Sequence, residues 1–381
     1  MGRLFGTDGI RGRAGEFLTA DLARTVAAAA AAELGPATVV IGRDTRPSGP
    51  MLEAAAAQGF AEAGCAVLLL GVVPTPLVAH AGAMGTADRG LMISASHNPM
   101  PDNGLKVFGR GGYKIADAVE AAIEARLEEP PVRAASSVAV CPAPEHVVAS
   151  YADDLVNSVE KPLHGLRVVV DCAQGSASLL APEIYRRAGA DVIALFADGD
   201  GMHINDECGA THLDALQAAV LEHDADLGIA HDGDADRCLA VDASGQPVDG
   251  DQILAICALG LQARGLLPTA TVVATVMSNL GFLQAMNRAG IAVETTAVGD
   301  KHVLEAMRRG GHALGGEQSG HLVFLDSATT GDGLRTALAV MGRMVAAESP
   351  LSTLAAAVQL LPQVLVNVAA ERSRATADDV L

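Results

Sequence analysis

The chain has 381 residues, of which 50% are apolar and 3% aromatic, and it contains no tryptophan. This length suffices for two or three domains of about 150 residues each. The net charge of −19 disfavours a nucleic-acid partner, because the phosphate backbone attracts basic surfaces. The same charge repels phosphorylated ligands, so any phosphate site in this chain has to be locally basic.

Short apolar runs alternate with longer helical segments along the chain. The first unit is predicted to contain strand Thr38–Ile41, helix Met51–Ala63, strand Val67–Leu70, strand Gly90–Ile93 and helix Ala116–Glu128. Pro-rich sequence between residues 130 and 144 then predicts a linker. Alternation of this kind favours α/β architecture with mostly buried strands.

Two further units repeat a similar order of elements. The second is predicted to contain helix Tyr151–Val159, strand Arg167–Val170, helix Ala181–Ala188, strand Asp191–Phe196, helix Asp214–Glu222 and strand Leu227–Ala230. The third is predicted to contain helix Asp251–Ala263, strand Thr271–Thr275, helix Gly281–Ala289, strand Ala292–Thr295, helix Lys301–Arg309, strand Leu322–Phe324 and helix Gly331–Ala347. A last strand is predicted at Gln363–Val368.

The six cysteines are scattered through apolar segments without a CxxC spacing, which predicts buried, reduced thiols in a cytoplasmic protein. The amino-terminal sequence lacks the apolar stretch of a signal peptide. No apolar run approaches the ~18 residues that a membrane span needs. We therefore expect no membrane partner.

A loop that contains a candidate nucleophile follows strand Gly90–Ile93. It reads Ser-Ala-Ser-His-Asn-Pro over residues 94–99 and Pro-Asp-Asn-Gly-Leu-Lys over residues 101–106. Ser96 is suited to be the nucleophile, and the adjacent His97 to move its proton or orient it. Lys106 offers a positive charge nearby. An Asn-Pro turn with incidental hydroxyls is the alternative, which the full string makes the weaker one.

An acidic loop with the sequence His-Asp-Gly-Asp-Ala-Asp-Arg spans residues 231–237. Asp232, Asp234 and Asp236 repel one another unless a cation neutralises them, and alternating carboxylates suit Mg²⁺. An EF-hand calcium loop is excluded because no Glu stands at the required later position. Arg237 beside the cluster indicates an anionic partner.

Two glycine-containing regions complete the set of candidate loops. Residues 315–321 read Gly-Gly-Glu-Gln-Ser-Gly-His, in which Glu317 and Ser319 suit sugar hydroxyls or an amino group. Residues 5–12 read Phe-Gly-Thr-Asp-Gly-Ile-Arg-Gly, in which Arg11 suits a phosphate. In the similar stretch 42–49, Arg43 and Arg46 are equally suited to a phosphate or to salt bridges between domains.

Together these loops resemble the α-D-phosphohexomutase family, in order and approximate spacing, over nearly the whole chain. The amino-terminal and sugar loops look most like the phosphoglucosamine mutase branch. The resemblance implies an α/β fold of three similar domains, with mixed sheets sandwiched by helices, around a central cleft. The expected domains are 1–150 with the serine loop, 151–245 with the metal loop and 246–362 with the sugar loop; residues 363–381 would start a truncated fourth domain.

By this resemblance, Ser96 is a phosphoserine, primed by a sugar bisphosphate or by autophosphorylation. One Mg²⁺ would be held by Asp232, Asp234 and Asp236 together with Ser96. The expected reaction interconverts glucosamine 6-phosphate and glucosamine 1-phosphate through a bisphosphate, for UDP-N-acetylglucosamine and cell-wall synthesis. The catalytic set is Ser96, His97, Lys106 and Arg11, and the substrate-binding set is Arg237, Glu317, Ser319, Asp300 and Lys301. A homodimer is the oligomer expected from the family.

The sequence departs from the family pattern in two places. Gly-Asp-Lys-His over residues 299–302 replaces the usual Gly-Asp-Arg-Tyr, so Lys301 lacks the planar fork of arginine. The family's fourth-domain loop of the type Arg-Pro-Ser-Gly-Thr is not found, which predicts slow turnover because remote phosphate binding helps to position the substrate. The alternatives are a mutase for mannose or glucose phosphates, and a non-catalytic short form that binds sugar phosphates.

Overall fold

The computed structural model describes residues 4–127 and 138–364, which form three α/β domains, each with its own sheet. The elements of domain 1 are β1 (Ile10–Arg13), α1 (Ala20–Leu34), β2 (Thr38–Arg43), α2 (Gly49–Glu62), β3 (Ala66–Val72), α3 (Thr75–Ala83), β4 (Arg89–Ile93), β5 (Asp102–Phe108), α4 (Asp117–Arg126) and β6 (Val140–Pro142). Its strand order is β1-β5-β4-β2-β3-β6. Strands β4, β2, β3 and β6 are parallel neighbours, and β5 is antiparallel to both β4 and β1.

Domain 2 is built on a five-stranded sheet of order β11-β10-β9-β7-β8. Its elements are α5 (Glu145–Asn157), β7 (Arg167–Asp171), α6 (Ala181–Arg187), β8 (Asp191–Leu195), α7 (Asp214–Glu222), β9 (Leu227–His231), β10 (Cys238–Asp242) and β11 (Pro247–Val248). Strand β9 is buried along its whole length and runs parallel to β7. Because β10 returns antiparallel to β9, the acidic loop between them lies at one edge of the sheet.

Domain 3 has a four-stranded sheet of order β13-β12-β14-β15. Its elements are α8 (Gly250–Ala263), β12 (Thr271–Thr275), α9 (Leu280–Arg288), β13 (Ala292–Thr296), α10 (Asp300–Gly310), β14 (Leu314–Gly316), β15 (Leu322–Phe324), α11 (Gly333–Ala347) and α12 (Leu351–Ala355). Strand β14 pairs parallel with β12 and antiparallel with β15. The loop between β14 and β15 is the predicted sugar loop.

The predicted α/β class with mixed sheets is confirmed. Most predicted elements are found with ends shifted by one or two residues, and the largest shift is at α5, which begins six residues before the predicted Tyr151. Elements present without a prediction include helices α1, α3 and α12 and strands β1, β5, β10, β11 and β14. The end of the predicted helix at Glu128 and most of the strand predicted at Gln363–Val368 lie outside the described residues, and neither Gln363 nor Val364 is in a strand.

The linker prediction for residues 130–144 is wrong in its last part. Val140–Pro142 form β6, which pairs in parallel with β3 at the edge of the domain 1 sheet. This short strand is exposed, and Cys141 is therefore exposed as well, contrary to the expectation of buried thiols; the other five cysteines are buried. No described helix is long and apolar enough to cross a membrane.

The three domains are joined by buried contacts. One apolar cluster combines residues from domains 2 and 3 with α3 and parts of the sheet of domain 1. Between α5 and α11, the Tyr151 hydroxyl donates to Asp332 Oδ1 at 3.1 Å, and Arg335 forms an ion pair with Asp154. These contacts fix the loops of the three domains relative to one another.

Candidate active site

The serine loop connects β4 to β5, and Ser96 lies in it with only 1% of its surface exposed. Its φ of 52° is in the left-handed region, which is uncommon for a residue with a side chain and is found mostly at turns and functional sites. Ser96 Oγ donates to Asp232 Oδ2 at 2.5 Å and lies 3.2 Å from His97 Nδ1. The structure thus brings the predicted nucleophile, its histidine and the first acidic residue together.

A buried arginine holds the backbone of this loop. The guanidinium of Arg46 donates to the carbonyl oxygens of Ser96, Asn98, Pro99 and Asp102, and its Nε pairs with Asp44. Both Arg46 and Asp44 are fully buried within domain 1. All five donors of Arg46 are used by acceptors of domain 1, so none remains for a phosphate or for a salt bridge to another domain. Arg43 likewise pairs with Glu53 inside domain 1.

Domain 2 contributes to the same loop. Asn205 Nδ2 donates to the carbonyl oxygens of Ser96 at 2.9 Å and Asn98 at 3.2 Å. A Cβ added to Gly233 would lie 2.5 Å from the Ser96 carbonyl oxygen, so only glycine allows the acidic loop to approach so closely. The serine and acidic loops are thus in direct backbone contact.

The acidic loop collects three buried carboxylates. One ligand oxygen each from Asp232, Asp234 and Asp236 lies within 4.8 Å of the others. Asp234 Oδ1 and Asp236 Oδ1 are buried and have no hydrogen-bond partner among the described residues. Such unpaired oxygens are costly in a protein interior unless a cation is bound, so the donor set fits a hard divalent ion.

The three carboxylates differ in their electrostatic surroundings. Burial and the neighbouring Asp236 and Asp234 raise the pKa of Asp232 to about 7. Burial also favours the neutral form of Asp236, but Lys106 and His321 outweigh it and hold the pKa of Asp236 well below its usual value. The Asp232 carboxyl is therefore partly protonated at neutral pH, as expected when like charges share a small volume.

Lys106 is the positive group at the centre of this cluster. Its Nζ lies 2.7 Å from Asp234, 3.2 Å from Asp236 and 2.9 Å from Asp8, and the side chain is 1% exposed. Although burial disfavours its charge, these three carboxylates raise the pKa of Lys106 well above its usual value. Lys106 is consequently an ammonium at neutral pH.

The two histidines of the site differ in charge. Burial, with Arg237 and Arg11, lowers the pKa of His97 to about 4, so its ring is neutral at neutral pH. Burial also disfavours charge on His321, but Asp236 outweighs it and raises the pKa of His321. A neutral ring beside Ser96 Oγ can accept a proton, whereas His321 next to Asp236 favours the charged form.

Two arginines supply the predicted local positive charge. Arg11 pairs with Asp8, and Arg237 Nε lies 4.0 Å from Asp236. The Nε atoms of both arginines are buried without a hydrogen-bond partner in the described part of the chain. Each side chain remains 22% exposed. These guanidinium groups retain donors for a phosphate and satisfy the requirement for a locally basic site.

The sugar loop approaches the acidic loop from domain 3. Cys238 N donates to the carbonyl oxygen of Gly320 at 3.0 Å, which ties β10 to this loop. Glu317 Oε1 accepts from Gly299 N at 3.0 Å, and Ser319 Oγ is buried without a hydrogen-bond partner among the described residues. Ser319 thus has a free hydroxyl for a ligand.

Asp300 and Lys301 have different surroundings. Asp300 pairs with Lys114 and lies 3.8 Å from His321 Nε2, at the border of the site. The ammonium of Lys301 instead pairs with Glu120 and Asp117 of domain 1. The structure therefore places Lys301 in an ion-pair contact between domains 1 and 3 and not beside Ser96.

Several site residues were not predicted from the sequence as members of the site. Asp8, Lys114 and His321 join Lys106 and Asp300 in one charged network between domains 1 and 3, and contacts of Lys106 and His321 with Asp236 connect it to domain 2. Asp8 and His321 lie inside the two quoted glycine-containing loops, so their positions in those motifs were available as a clue. Lys114 and Asn205 lie outside every motif, and only long-range contacts reveal them.

Comparisons with known proteins agree with this geometry. Family models described as phosphoglucomutase/phosphomannomutase, alpha/beta/alpha domains I, II and III match residues 2–132, 149–245 and 249–361. The chain is 59% identical to a phosphoglucosamine mutase of Frankia casuarinae, across 97% of this chain and 84% of that protein. It is 54% identical to a phosphoglucosamine mutase of Rhodococcus jostii, across 99% of this chain and 87% of that protein.

Solved structures show the same architecture. A phosphoglucomutase/phosphomannomutase family protein from Burkholderia thailandensis superimposes with a TM-score of 0.84 at 29% identity, covering 95% of this chain and 80% of that one. An N-acetylphosphoglucosamine mutase from Aspergillus fumigatus has a TM-score of 0.65 at 18% identity, covering 97% and 82%, which shows the shared fold. The chain therefore belongs to the phosphoglucomutase/phosphomannomutase family, the α-D-phosphohexomutases, and is an isomerase of carbohydrate metabolism.

Proposed function

We propose that this enzyme interconverts glucosamine 6-phosphate and glucosamine 1-phosphate, a step toward UDP-N-acetylglucosamine and the cell wall. The observation that carries the proposal is the contact of Ser96 Oγ with Asp232, in an acidic cluster where two buried oxygens lack a hydrogen-bond partner among the described residues, beside two arginines with free donors. The choice of an amino sugar is supported by the 54–59% identity to proteins named phosphoglucosamine mutase.

In this proposal Ser96 carries the phosphoryl group. The bond between phosphorus and Ser96 Oγ breaks as a bond from the free sugar hydroxyl to phosphorus forms. The hydroxyl proton passes through the neutral ring of His97, whose Nδ1 lies 3.2 Å from Ser96 Oγ, and ends on the serine oxygen that is released. The resulting bisphosphate reorients in the cleft, and its other phosphoryl group is transferred to Ser96. Lys106 and Arg237 stabilise the negative charge of the transferred group, because both are cationic; Lys106 is buried and Arg237 is half-buried.

Asp232, Asp234 and Asp236 would hold one Mg²⁺. When bound, Mg²⁺ supplies positive charge that offsets the charge of the phosphoryl oxygens. Glu317 and the free Ser319 hydroxyl would bind the sugar in both orientations, with Asp300 at the edge of the cleft. A small-molecule phosphosugar is thus the partner, and the proposed cellular location is the cytoplasm.

Two measurements test the proposal. Intact mass spectrometry after incubation with a hexose bisphosphate and Mg²⁺ is expected to show one added phosphoryl group, which the Ser96→Ala variant lacks. A coupled assay then compares glucosamine 6-phosphate, mannose 6-phosphate and glucose 6-phosphate. Equal or better use of the neutral sugars overturns the amino-sugar assignment, and phosphorylation of the variant overturns the assignment of Ser96.

A further inference from the structure

A cavity lies at the junction of domains 2 and 3, away from the catalytic loops. It has a volume of about 380 Å³ and lies between helices α8 and α11, beside the segment that follows α5. Ile256, Phe324 and Leu338 contribute apolar walls, and Arg335 and Arg343 line it as well. Its size is within the ~300–1,000 Å³ typical of sites for small organic ligands.

Strand β14 separates this cavity from the sugar loop. Ala313, immediately before β14, lines the cavity, whereas Glu317, immediately after it, belongs to the sugar loop. A strand advances about 3.3 Å per residue, so Ala313 and Glu317, four residues apart, are separated by roughly 13 Å. The cavity is therefore a site distinct from the catalytic cleft.

Two glycines inside helices leave the cavity open. At Gly342 of α11, an added Cβ would meet Val159 Cγ1 at 3.7 Å, which is an ordinary contact. At Gly260 of α8, an added Cβ would meet the Cδ atom of Arg343 at 3.2 Å. Glycine within a helix costs about 1 kcal/mol relative to alanine. The chain tolerates this cost at two positions that face the same space.

The cavity contains unused positive charge. The guanidinium of Arg343 has no ion pair or hydrogen bond within the described residues. Arg335, in contrast, is paired with Asp154, and its Nε lies 3.8 Å from Asp332. Of the two carboxylates that line the cavity, Glu160 is paired with Arg264 at 2.5 Å. The other, Asp326, is exposed to solvent. This arrangement suits an anionic group that lies against apolar walls.

We propose that the cavity between α8 and α11 is a binding site for a small organic carboxylate with a ring-sized apolar body. The carboxylate contacts the unpaired guanidinium of Arg343, and the apolar body lies against Ile256, Phe324 and Leu338. This inference is independent of the sugar preference and of the phosphoserine.

An occupant of this cavity contacts a helix that reaches the acidic loop. Arg335 is in the first turn of α11, and Gly333 N of the same turn donates to the carbonyl oxygen of Ala235 at 3.0 Å. Arg335 also pairs with Asp154 of α5. The ligand therefore binds at the junction of domains 2 and 3 and should raise the unfolding temperature of the enzyme.

The test uses 1-naphthoate as the probe and isothermal titration calorimetry on the full chain. We expect saturable binding with one site per chain. Arg343→Met, which removes the unpaired guanidinium, is expected to weaken the affinity by about tenfold or more. Gly342→Leu fills the cavity while improving helix propensity, so it should fold and fail to bind. Arg110→Met, at an exposed position remote from the cavity, is the charge-matched control and should bind like the unmodified chain.

The neutral analogue 1-naphthalenemethanol tests the role of charge. If the neutral analogue binds about tenfold more weakly than 1-naphthoate, the contact of the carboxylate with Arg343 is supported. Equal binding of the neutral analogue overturns the anion assignment. Absence of saturable naphthoate binding, or binding that survives both Arg343→Met and Gly342→Leu, overturns the site itself.

Discussion

Replacing Arg46 by lysine tests how the serine loop is held. The Arg46 guanidinium makes five side-chain hydrogen bonds, at 2.5–3.0 Å, from a fully buried position. A lysine ammonium has three donors, so at least two of these five hydrogen bonds are lost. A hydrogen bond to a charged group contributes about 1.5–3 kcal/mol, so we expect Arg46→Lys to lower the free energy of unfolding by about 3–6 kcal/mol.

The same change should disturb catalysis. Arg46 and Asn205 hold the Ser96 carbonyl while that residue has a φ of 52°, so loss of Arg46 bonds lets the nucleophile move. A displacement of about 1 Å can reduce turnover by about a hundredfold. Urea unfolding followed by circular dichroism measures the stability, and mass spectrometry of phosphorylated Ser96 measures the competence of the loop.

Arg43→Lys is the matched control in the same segment. Arg43 is partly exposed and makes only two long contacts, both at 3.4 Å, to Glu53 and to the carbonyl oxygen of Asp44. Its replacement should cost no more than about 1 kcal/mol. If Arg46→Lys is also within about 0.5 kcal/mol of the unmodified chain and is fully phosphorylated, the hydrogen-bond argument is refuted.

Three further changes examine other contacts. Burial raises the pKa of Asp171 from 3.8 to about 6, so the folded chain gains stability as the pH falls through this range. Asp171→Asn should remove a gain of about 2.4 kcal/mol in urea titrations between pH 7 and pH 4. Tyr151→Phe removes a buried hydrogen bond to Asp332 and should lower the free energy of unfolding by about 1–2 kcal/mol. In Gly201→Ala, the new Cβ would lie 1.8 Å from the Thr45 carbonyl oxygen, and we expect a loss of about 3 kcal/mol or more in thermal unfolding.

Each of these changes has its own check. An unchanged pH dependence in Asp171→Asn would contradict the raised pKa. Tyr113→Phe removes a hydroxyl without a hydrogen bond in the described residues, so a loss equal to that in Tyr151→Phe would show that the Asp332 contact contributes nothing. Gly342→Ala has room for its methyl group and should be neutral or stabilising, whereas equal damage from both alanine variants would disprove the steric argument.

The sequence predicts the parts of this fold that have local causes. Strand Thr271–Thr275 and helix Asp214–Glu222 were predicted with their observed bounds, since apolar periodicity and turn residues delimit them. Helix α1 was missed, although alanine is the best helix former and the Thr19 side chain caps it by accepting from Leu22 N at 3.2 Å. The alanine content and the Thr19 cap are thus local sequence signals for this helix.

The candidate active site likewise has parts that local motifs predict and parts that depend on long-range contacts. Motifs predicted the Ser96 loop and the three aspartates because each lies in a short distinctive string. The role of Arg46 was not predictable, since its acceptors lie about 50 residues away and are backbone oxygens with no sequence signature. The same holds for Lys301, whose buried partner Glu120 is 181 residues distant and decides which way the ammonium points.

The contact between the serine and acidic loops restricts how the reaction cycle can proceed. Gly233 packs against the Ser96 carbonyl, and Thr75 N at the start of α3 donates to the Asp234 carbonyl at 2.9 Å, so domains 1 and 2 share backbone contacts here. Rotation of domain 1 against domain 2 would break these contacts and separate the nucleophile from its carboxylates. In the proposed cycle both phosphoryl transfers therefore take place at one stationary point. The sugar, rather than the protein around Ser96, has to exchange its two ends between them.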